Sequence, residues 1–141
     1  MSSSSTTARR KFWGWGLEHE GLGPDELEQL AEAFTGRFGL TEMRMLEPPR
    51  VDELDLPSPR LSPPTSLESL FSAEPYERAA HSYGRSFRDL VRAFRRDYPH
   101  QPDLVAFPRD EHDVSSILGW CTDARAAAIP FGGGSSVTGG V

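Results

Sequence analysis

Apolar residues recur at helical spacing in four stretches of the chain, each opened by a residue suited to a helix start. Pro24 begins the first stretch, and Pro75, Ser86 and Asp110 begin the next three. We therefore predict four amphipathic helices. Their apolar stripes are Leu27, Leu30, Ala31 and Phe34; Tyr76, Ala79, Ala80 and Tyr83; Phe87, Leu90, Val91 and Phe94; and Val114, Ile117, Leu118 and Cys121.

Two short apolar runs, residues 104–107 and 126–131, flank the fourth helix and predict strands. A strand, a helix and a strand with short connections form a βαβ unit, which should be parallel and right-handed. Six prolines between Glu47 and Pro64 predict an extended connector that is not a packed element. After it, the capping-box spacing of Thr65 and Glu68 predicts a short helix through Phe71.

Composition narrows the class of protein. The chain has 141 residues and a net charge of -6, which argues against general nucleic-acid binding. It contains no apolar run near the ~20 residues of a transmembrane span and no secretory signal. A single cysteine, Cys121, excludes an internal disulfide and is typical of a reducing compartment. The four histidines lack metal-ligand spacing, so we predict no metal site.

The glycine-rich stretch after residue 129 is the main candidate for chemistry. Consecutive backbone N–H groups can form an anion nest, and glycine lets a phosphate approach them closely. The stretch is not a Walker A loop, because Gly140 and Val141 occupy the Lys and Ser/Thr positions. Val137 also excludes the dinucleotide fingerprint. A phosphate-binding loop is favoured over a flexible Gly/Ser linker because a predicted βαβ unit precedes it.

Three further features have plain structural interpretations beside functional ones. The segment Trp13-Gly14-Trp15-Gly16 is expected to anchor a terminal arm by burying aromatic area, rather than to bind bases or a membrane. The arginines between Arg85 and Arg96 could hold phosphate, but a solvated helix face is the default. Cys121 lies on an apolar stripe and is expected to be a small buried hydrophobe rather than a nucleophile.

Several segments together resemble a known flavoprotein family. Residues 102–108, the helix opening at Asp113-Val114 and the loop from Pro130 to Gly140 look like the start of the FAD-binding domain of the vanillyl-alcohol oxidase / p-cresol methylhydroxylase family. The Trp-Gly-Trp-Gly segment, residues 60–62 and residues 81–90 resemble the alkyldihydroxyacetonephosphate synthase branch and its bacterial FAD-linked oxidase relatives. The resemblance covers nearly the whole chain from Lys11 onward.

The resemblance implies an α+β fold and a domain order. It predicts a disordered tail over residues 1–10, then an N-terminal helical region over 11–98 that includes the connector 47–64. Residues 99–141 would begin a truncated p-cresol methylhydroxylase-type FAD-binding domain with its first βαβ unit. The residues implied to hold the FAD pyrophosphate are Pro130, Phe131, Gly132, Gly133, Gly134, Ser135 and Ser136. The family often has Thr where this chain has Ser135.

The resemblance also implies a function. The chain is expected to be the N-terminal fragment of an FAD-dependent, alkyldihydroxyacetonephosphate synthase-like enzyme of ether-lipid synthesis, inactive by itself and with no catalytic residue of its own. An FAD-linked oxidase of an alcohol or 2-hydroxy acid is the alternative. A small non-enzymatic helical module with a Gly/Ser tail is the second alternative.

Partners and location follow from the same interpretation. The expected partners are FAD and a small-molecule or lipid-precursor substrate, without nucleic acid or a transmembrane segment, and a homodimer is left open. The excess of arginine over lysine is weak support for a bacterial cytoplasm.

Overall fold

The computed structural model describes residues 9–135, which divide into two compact units. The first unit contains residues 9–11 and 15–48, and the second contains residues 12–14 and 49–135. Four α-helices lie in these units: α1 (Pro24–Phe38), α2 (Pro75–Ala80), α3 (Phe87–Phe94) and α4 (Glu111–Asp123). The strands are β1 (Phe71–Ser72) and β2 (Val105–Ala106). No helix among the described residues is both long and apolar enough to cross a bilayer.

Helix α1 dominates the first unit. It begins at Pro24 as predicted, but it continues past Gly36, the glycine expected from the sequence to lie near its end. The N–H of Gly23 donates to Glu26 Oε2 at 2.8 Å, and Gly39 closes the helix in the left-handed region at φ 61°. The predicted first helix is therefore confirmed. None of its residues is buried, however, and Leu30 and Phe34 remain 42% and 46% exposed. They line an open apolar groove of about 250 Å³ together with Ala31, Met43 and Met45.

The second unit has a core built from segments far apart in sequence. Its main cluster consists of Phe12, Leu54, Ala79, Ala80, Ala93 and Tyr98. Leu54 belongs to the proline-rich connector, and Val51 and Leu56 also pack against this cluster. The prediction that the connector is not a packed element is therefore wrong. Proline prevents regular pairing of the backbone, but it does not prevent neighbouring side chains from being buried.

Helix α3 confirms a predicted cap but not the whole predicted face. The Ser86 hydroxyl accepts from the N–H of Asp89 at 3.4 Å, and Asp89 Oδ2 accepts from the N–H of Ser86 at 3.1 Å. Asp89 and Ala93 are the buried positions of the helix, whereas Phe87 is 81% exposed. Phe87 is therefore wrongly placed on the buried stripe. The capped carboxylate of Asp89 can turn inward because its hydrogen bonds offset the cost of burial.

The sheet is smaller than predicted and differs in topology. The run 104–107 forms β2, which pairs antiparallel with β1 in the register Phe71↔Ala106 and Ser72↔Val105. The N–H of Phe107 also donates to the carbonyl of Leu70 at 2.8 Å. The segment predicted as a helix through Phe71 forms a 3₁₀ turn over Glu68–Leu70 and then enters β1.

The predicted second strand is wrong for the described residues, so the parallel βαβ unit is not formed there. Residues 126–131 contain no assigned strand. Arg125 has φ 52°, and the N–H of Ala126 donates to the carbonyl of Cys121 at 2.8 Å. This hydrogen bond ties the start of the segment to the end of α4. Three consecutive alanines also have a low strand propensity.

Helix α4 is confirmed and packs on a second cluster of Leu70, Ile117 and Cys121. Its cap is Asp110, whose Oδ1 accepts from the N–H of Asp113 at 2.8 Å. Cys121 is buried, as expected of a small hydrophobe. Only two of the four residues of the predicted stripe, Ile117 and Cys121, are buried, whereas Val114 and Leu118 are exposed. The segment after α4 then carries the chain to the glycine loop.

Candidate functional site around the glycine loop

The glycine loop is described over residues 130–135, and its members have different surroundings. Gly134 is buried, Phe131 is half-buried, and the other four described residues are exposed. Ser136 lies outside the described residues. The loop therefore has one side packed against the protein and one side exposed.

Gly134 is the position where the loop requires glycine. Its φ is 68°, in the left-handed region that side chains disfavour. A Cβ atom added there would lie 2.8 Å from Phe131 Cζ and 3.3 Å from Arg85 Nε. At Gly132 and Gly133, by contrast, an added Cβ would meet no atom within 4 Å. The protein thus constrains Gly134, and the space next to Gly132 and Gly133 is open.

Phe131 anchors the loop to the end of α2. Its ring lies 4.7 Å from the ring of His81, with an angle of 62° between the planes. His81 also contacts Phe107, immediately after β2, at 6.0 Å. His81 Nδ1 lies 2.7 Å from the carbonyl oxygen of Glu77, which fixes the imidazole ring against α2. The aromatic contacts hold the start of the loop in place.

Arg85 joins the loop to the N-terminal aromatic segment. Its Nη1 donates to the carbonyl oxygen of Gly14 at 2.5 Å, and its buried Nε lies beside Gly134. A Cβ at Gly14 would lie 3.2 Å from Leu90 Cδ2, so this glycine also allows close packing on α3. Three segments quoted for the family resemblance therefore meet around one guanidinium group.

Sequence reasoning missed Arg85 and His81 as neighbours of the loop. It identified the Gly-Arg-Ser-Phe segment and the arginine-rich helix separately from the glycine loop. The signal that could have joined them was their shared membership of the same family resemblance. Spacing alone could not have done so, because Arg85 and Gly134 are separated by two helices and a strand.

Trp13 of the Trp13-Gly14-Trp15-Gly16 segment acts as an anchor, as predicted, together with the preceding Phe12, whereas Trp15 is 53% exposed. Phe12 is buried, and its ring lies 5.9 Å from Tyr76 and 6.2 Å from Tyr98. Trp13 contacts Phe94 edge to face at 5.2 Å. These contacts fix the adjacent Gly14, whose carbonyl receives Arg85. Burial also raises the pKa of the Tyr98 hydroxyl, which keeps that group neutral.

The predicted solvated arginine face is only partly solvated. Arg88 and Arg95 are exposed. Arg92 Nη1 lies 3.4 Å from Asp89 Oδ1, and its guanidinium lies 4.3 Å from the centre of the Tyr83 ring. Arg96 Nη2 pairs with Glu53 Oε2 at 2.9 Å. The charges of Arg92 and Arg96 are therefore partly neutralised by Asp89 and Glu53 of the second unit.

Two arginine–aspartate pairs flank β2 and fix the route of the chain towards the loop. Arg60 contacts both oxygens of Asp103, at 3.0 Å through Nε and 2.7 Å through Nη2. Arg109 contacts both oxygens of Asp113 in the same way, at 2.8 and 3.2 Å. These side-chain hydrogen bonds lower the pKa of each carboxyl group. Among residues 9–135 no cluster of three or more His, Cys, Asp or Glu could hold a metal ion.

Comparisons with known proteins find sequence similarity to two kinds of enzyme. No family model matches the chain. An alkyldihydroxyacetonephosphate synthase from Trypanosoma brucei brucei is 38% identical over 66 residues, which is 47% of this chain and 11% of that protein. A mitochondrial D-lactate dehydrogenase [cytochrome] from Arabidopsis thaliana is 45% identical over 38 residues, which is 27% of this chain and 7% of that protein.

A solved structure shares the fold. The chain matches an alkyldihydroxyacetonephosphate synthase with a TM-score of 0.70 at 20% identity, over 92% of this chain and 29% of that one. The sequence matches span only about a tenth of the length of the curated relatives. Over that part, the predicted resemblance to the alkyldihydroxyacetonephosphate synthase branch is confirmed.

Proposed function

We propose that this chain is the N-terminal part of an FAD-dependent enzyme resembling alkyldihydroxyacetonephosphate synthase, and that its glycine loop holds the FAD pyrophosphate. The observation that carries the proposal is the two-sided loop. Gly134 is held against Phe131 and Arg85, while Gly132 and Gly133 face open space. The similarity to the trypanosomal synthase supports the choice of enzyme.

The loop residues fit the charge of a pyrophosphate. Backbone N–H groups of Gly132, Gly133, Gly134 and Ser135 would donate to its oxygens, and charge-assisted hydrogen bonds of this kind need no lysine. Pro130 and Phe131 would set the start of the loop. The assignment of Ser136 to the pyrophosphate site is based on the sequence resemblance. Residues 99–141 would then begin the FAD-binding domain, after a tail over 1–10 and a helical region over 11–98.

The flavin would supply the redox chemistry when bound, and this chain would supply its phosphate site. A synthase of this kind exchanges an acyl group on dihydroxyacetone phosphate for a fatty alcohol, with no net oxidation. The expected substrates of the parent enzyme are therefore lipid precursors. We assign no catalytic residue to the described part of the chain.

An oxidase of a 2-hydroxy acid is the second candidate. The match to the D-lactate dehydrogenase favours it, although over a shorter segment than the synthase match. The two candidates differ in their products. Ether-bond formation from a fatty alcohol would identify the synthase, and flavin reduction by a 2-hydroxy acid without an alcohol acceptor would identify the oxidase.

The location and assembly of the parent are further parts of this proposal. A single, buried cysteine fits a reducing compartment, and we propose the cytoplasm. A homodimer of the parent enzyme is compatible with this proposal.

Gly133→Val in the full-length parent tests the phosphate site. An added side chain there meets no protein atom within 4 Å, so the apoprotein should keep its melting temperature. The same side chain would occupy the space of a bound pyrophosphate, so flavin content should be lost. Gly119→Val, at another glycine with open space, is the matched control and should keep its flavin. Normal flavin occupancy in Gly133→Val would contradict the assignment.

A further inference from the structure

We infer that Arg85 is a second contact for the pyrophosphate, a fixed cation that adds to the backbone donors of the glycine loop. The inference rests on the proposed function, because it assigns a further residue to the same site. Arg85 precedes α3 and is separated from the loop by about fifty residues of sequence. The sequence of the loop does not by itself predict an arginine at this site.

The position of Arg85 follows from the crowding at Gly134. Its Nε lies 3.3 Å from the site of a Cβ at that glycine, so the guanidinium is next to the loop backbone. Gly134 has no side chain to separate the two. An anion bound to the N–H groups of this loop would therefore lie near the guanidinium of Arg85.

The guanidinium is held in a defined orientation. Its Nη1 donates to the carbonyl oxygen of Gly14, a residue fixed between the anchored Trp13 and α3. A guanidinium has five N–H donors in a planar fork, so it can bind a carbonyl and a phosphate oxygen together. An arginine fixed in advance loses little side-chain entropy when an anion binds.

The carboxylate of Asp89, in the first turn of α3, is used within that helix and its cap. Asp89 is the acid of the adjacent cap, and its Oδ2 accepts from both the N–H and the hydroxyl of Ser86. Arg92 contacts its other oxygen.

The test uses the full-length parent as apoprotein, with Arg85→Gln and the control Arg88→Gln on the exposed side of α3. Three ligands separate the contributions: FAD, ADP (pyrophosphate without flavin) and riboflavin (flavin without phosphate). Loss of a charge-assisted hydrogen bond should weaken FAD and ADP binding of Arg85→Gln by about 10- to 100-fold. Riboflavin affinity and the apoprotein melting temperature should match those of Arg88→Gln.

Each other outcome has a distinct meaning. If Arg85→Gln binds FAD and ADP as tightly as Arg88→Gln, the inference is overturned and the proposed function stands. An equal loss for all three ligands together with a lower melting temperature also overturns it, because Arg85 would then only support the fold. Failure of the wild-type protein to bind FAD would overturn the proposed function itself.

Arg85→Lys keeps the experiment decisive if the glutamine variant does not fold. Lysine preserves the charge but not the planar fork, so FAD and ADP affinities should fall by about threefold. Riboflavin affinity should again be unchanged. Wild-type affinity of Arg85→Lys for FAD and ADP would contradict a directed guanidinium contact.

Discussion

Helices α1 and α3 have the same kind of amphipathic sequence but different surroundings. Helix α1 carries a regular apolar stripe and buries none of its residues. Helix α3 is about half as long and buries Asp89 and Ala93, while its unit also buries Phe12. The buried residues of α3 are not on its predicted apolar stripe, so helical periodicity indicates that a helix forms without showing which of its residues are buried. Nor does it indicate what covers an apolar face, which depends on segments distant in sequence.

The largest expected effect is a loss of stability in the second unit. Phe12→Ala should lower the free energy of unfolding by about 3–5 kcal/mol, because it removes a buried ring that packs on Tyr76 and Tyr98. Phe34→Ala in α1 should cost under about 1 kcal/mol, since that ring is already half in water. Urea unfolding of the chain measures both, and equal losses would remove the contrast between the two units.

Gly133 and Gly134 allow a similar comparison between an exposed position and a packed position within the loop. Gly134→Ala should lower the apoprotein free energy of unfolding by about 1–3 kcal/mol, because it combines positive φ with a contact against Phe131. Gly133→Ala meets open space and should not destabilise the apoprotein. Thermal unfolding of the two variants checks this. Equal melting temperatures would show that the protein does not constrain Gly134.

The smallest expected effect is the pH dependence of the pairs that flank β2. The pKa values of Asp103 and Asp113 are lower in the folded state than in the unfolded state. Their stabilisation is therefore present above about pH 4, the ordinary Asp pKa, and is lost as pH falls through the folded pKa.

The matched variants are Asp113→Asn and, as control, Asp123→Asn at the exposed end of α4. Asp113→Asn should flatten the decrease of unfolding free energy as the pH falls below about 4, because it removes the carboxyl group with the lowered pKa. Asp123→Asn controls for the removal of one carboxylate from α4. Urea titrations across this range provide the measurement. An unchanged acid slope in Asp113→Asn would show that the pair with Arg109 adds no pH-dependent stability.

Local chemistry was the part of the fold that sequence could predict. The caps at Ser86 and Asp110 depend on hydrogen bonds within a few residues, and both form as expected. Helix α1 instead continues past Gly36, the glycine expected near its end, and closes at Gly39. Long-range pairing was not predictable in this way. β2 pairs antiparallel with β1, and residues 126–131 form no strand, because a strand is defined by its partner.

The candidate site likewise combines a part that local sequence could predict and a part that depends on the tertiary fold. The glycine loop was predicted as a phosphate site from its own residues, from the family resemblance and from a preceding βαβ unit, and that unit does not form among the described residues. Arg85 and His81 reach it through the tertiary fold, and neither its composition nor its spacing indicated them. Leu54 gives the same lesson for the core, since a proline-rich composition concealed a buried side chain.

The most direct measurement is the flavin content of the purified full-length parent, read from its absorbance and from FAD released on denaturation. The account predicts stoichiometric FAD in the wild type and in Gly119→Val, and its loss in Gly133→Val without a fall in the apoprotein melting temperature. A parent that binds no FAD, or a Gly133→Val variant that keeps it, would contradict the claim that this loop holds the flavin pyrophosphate.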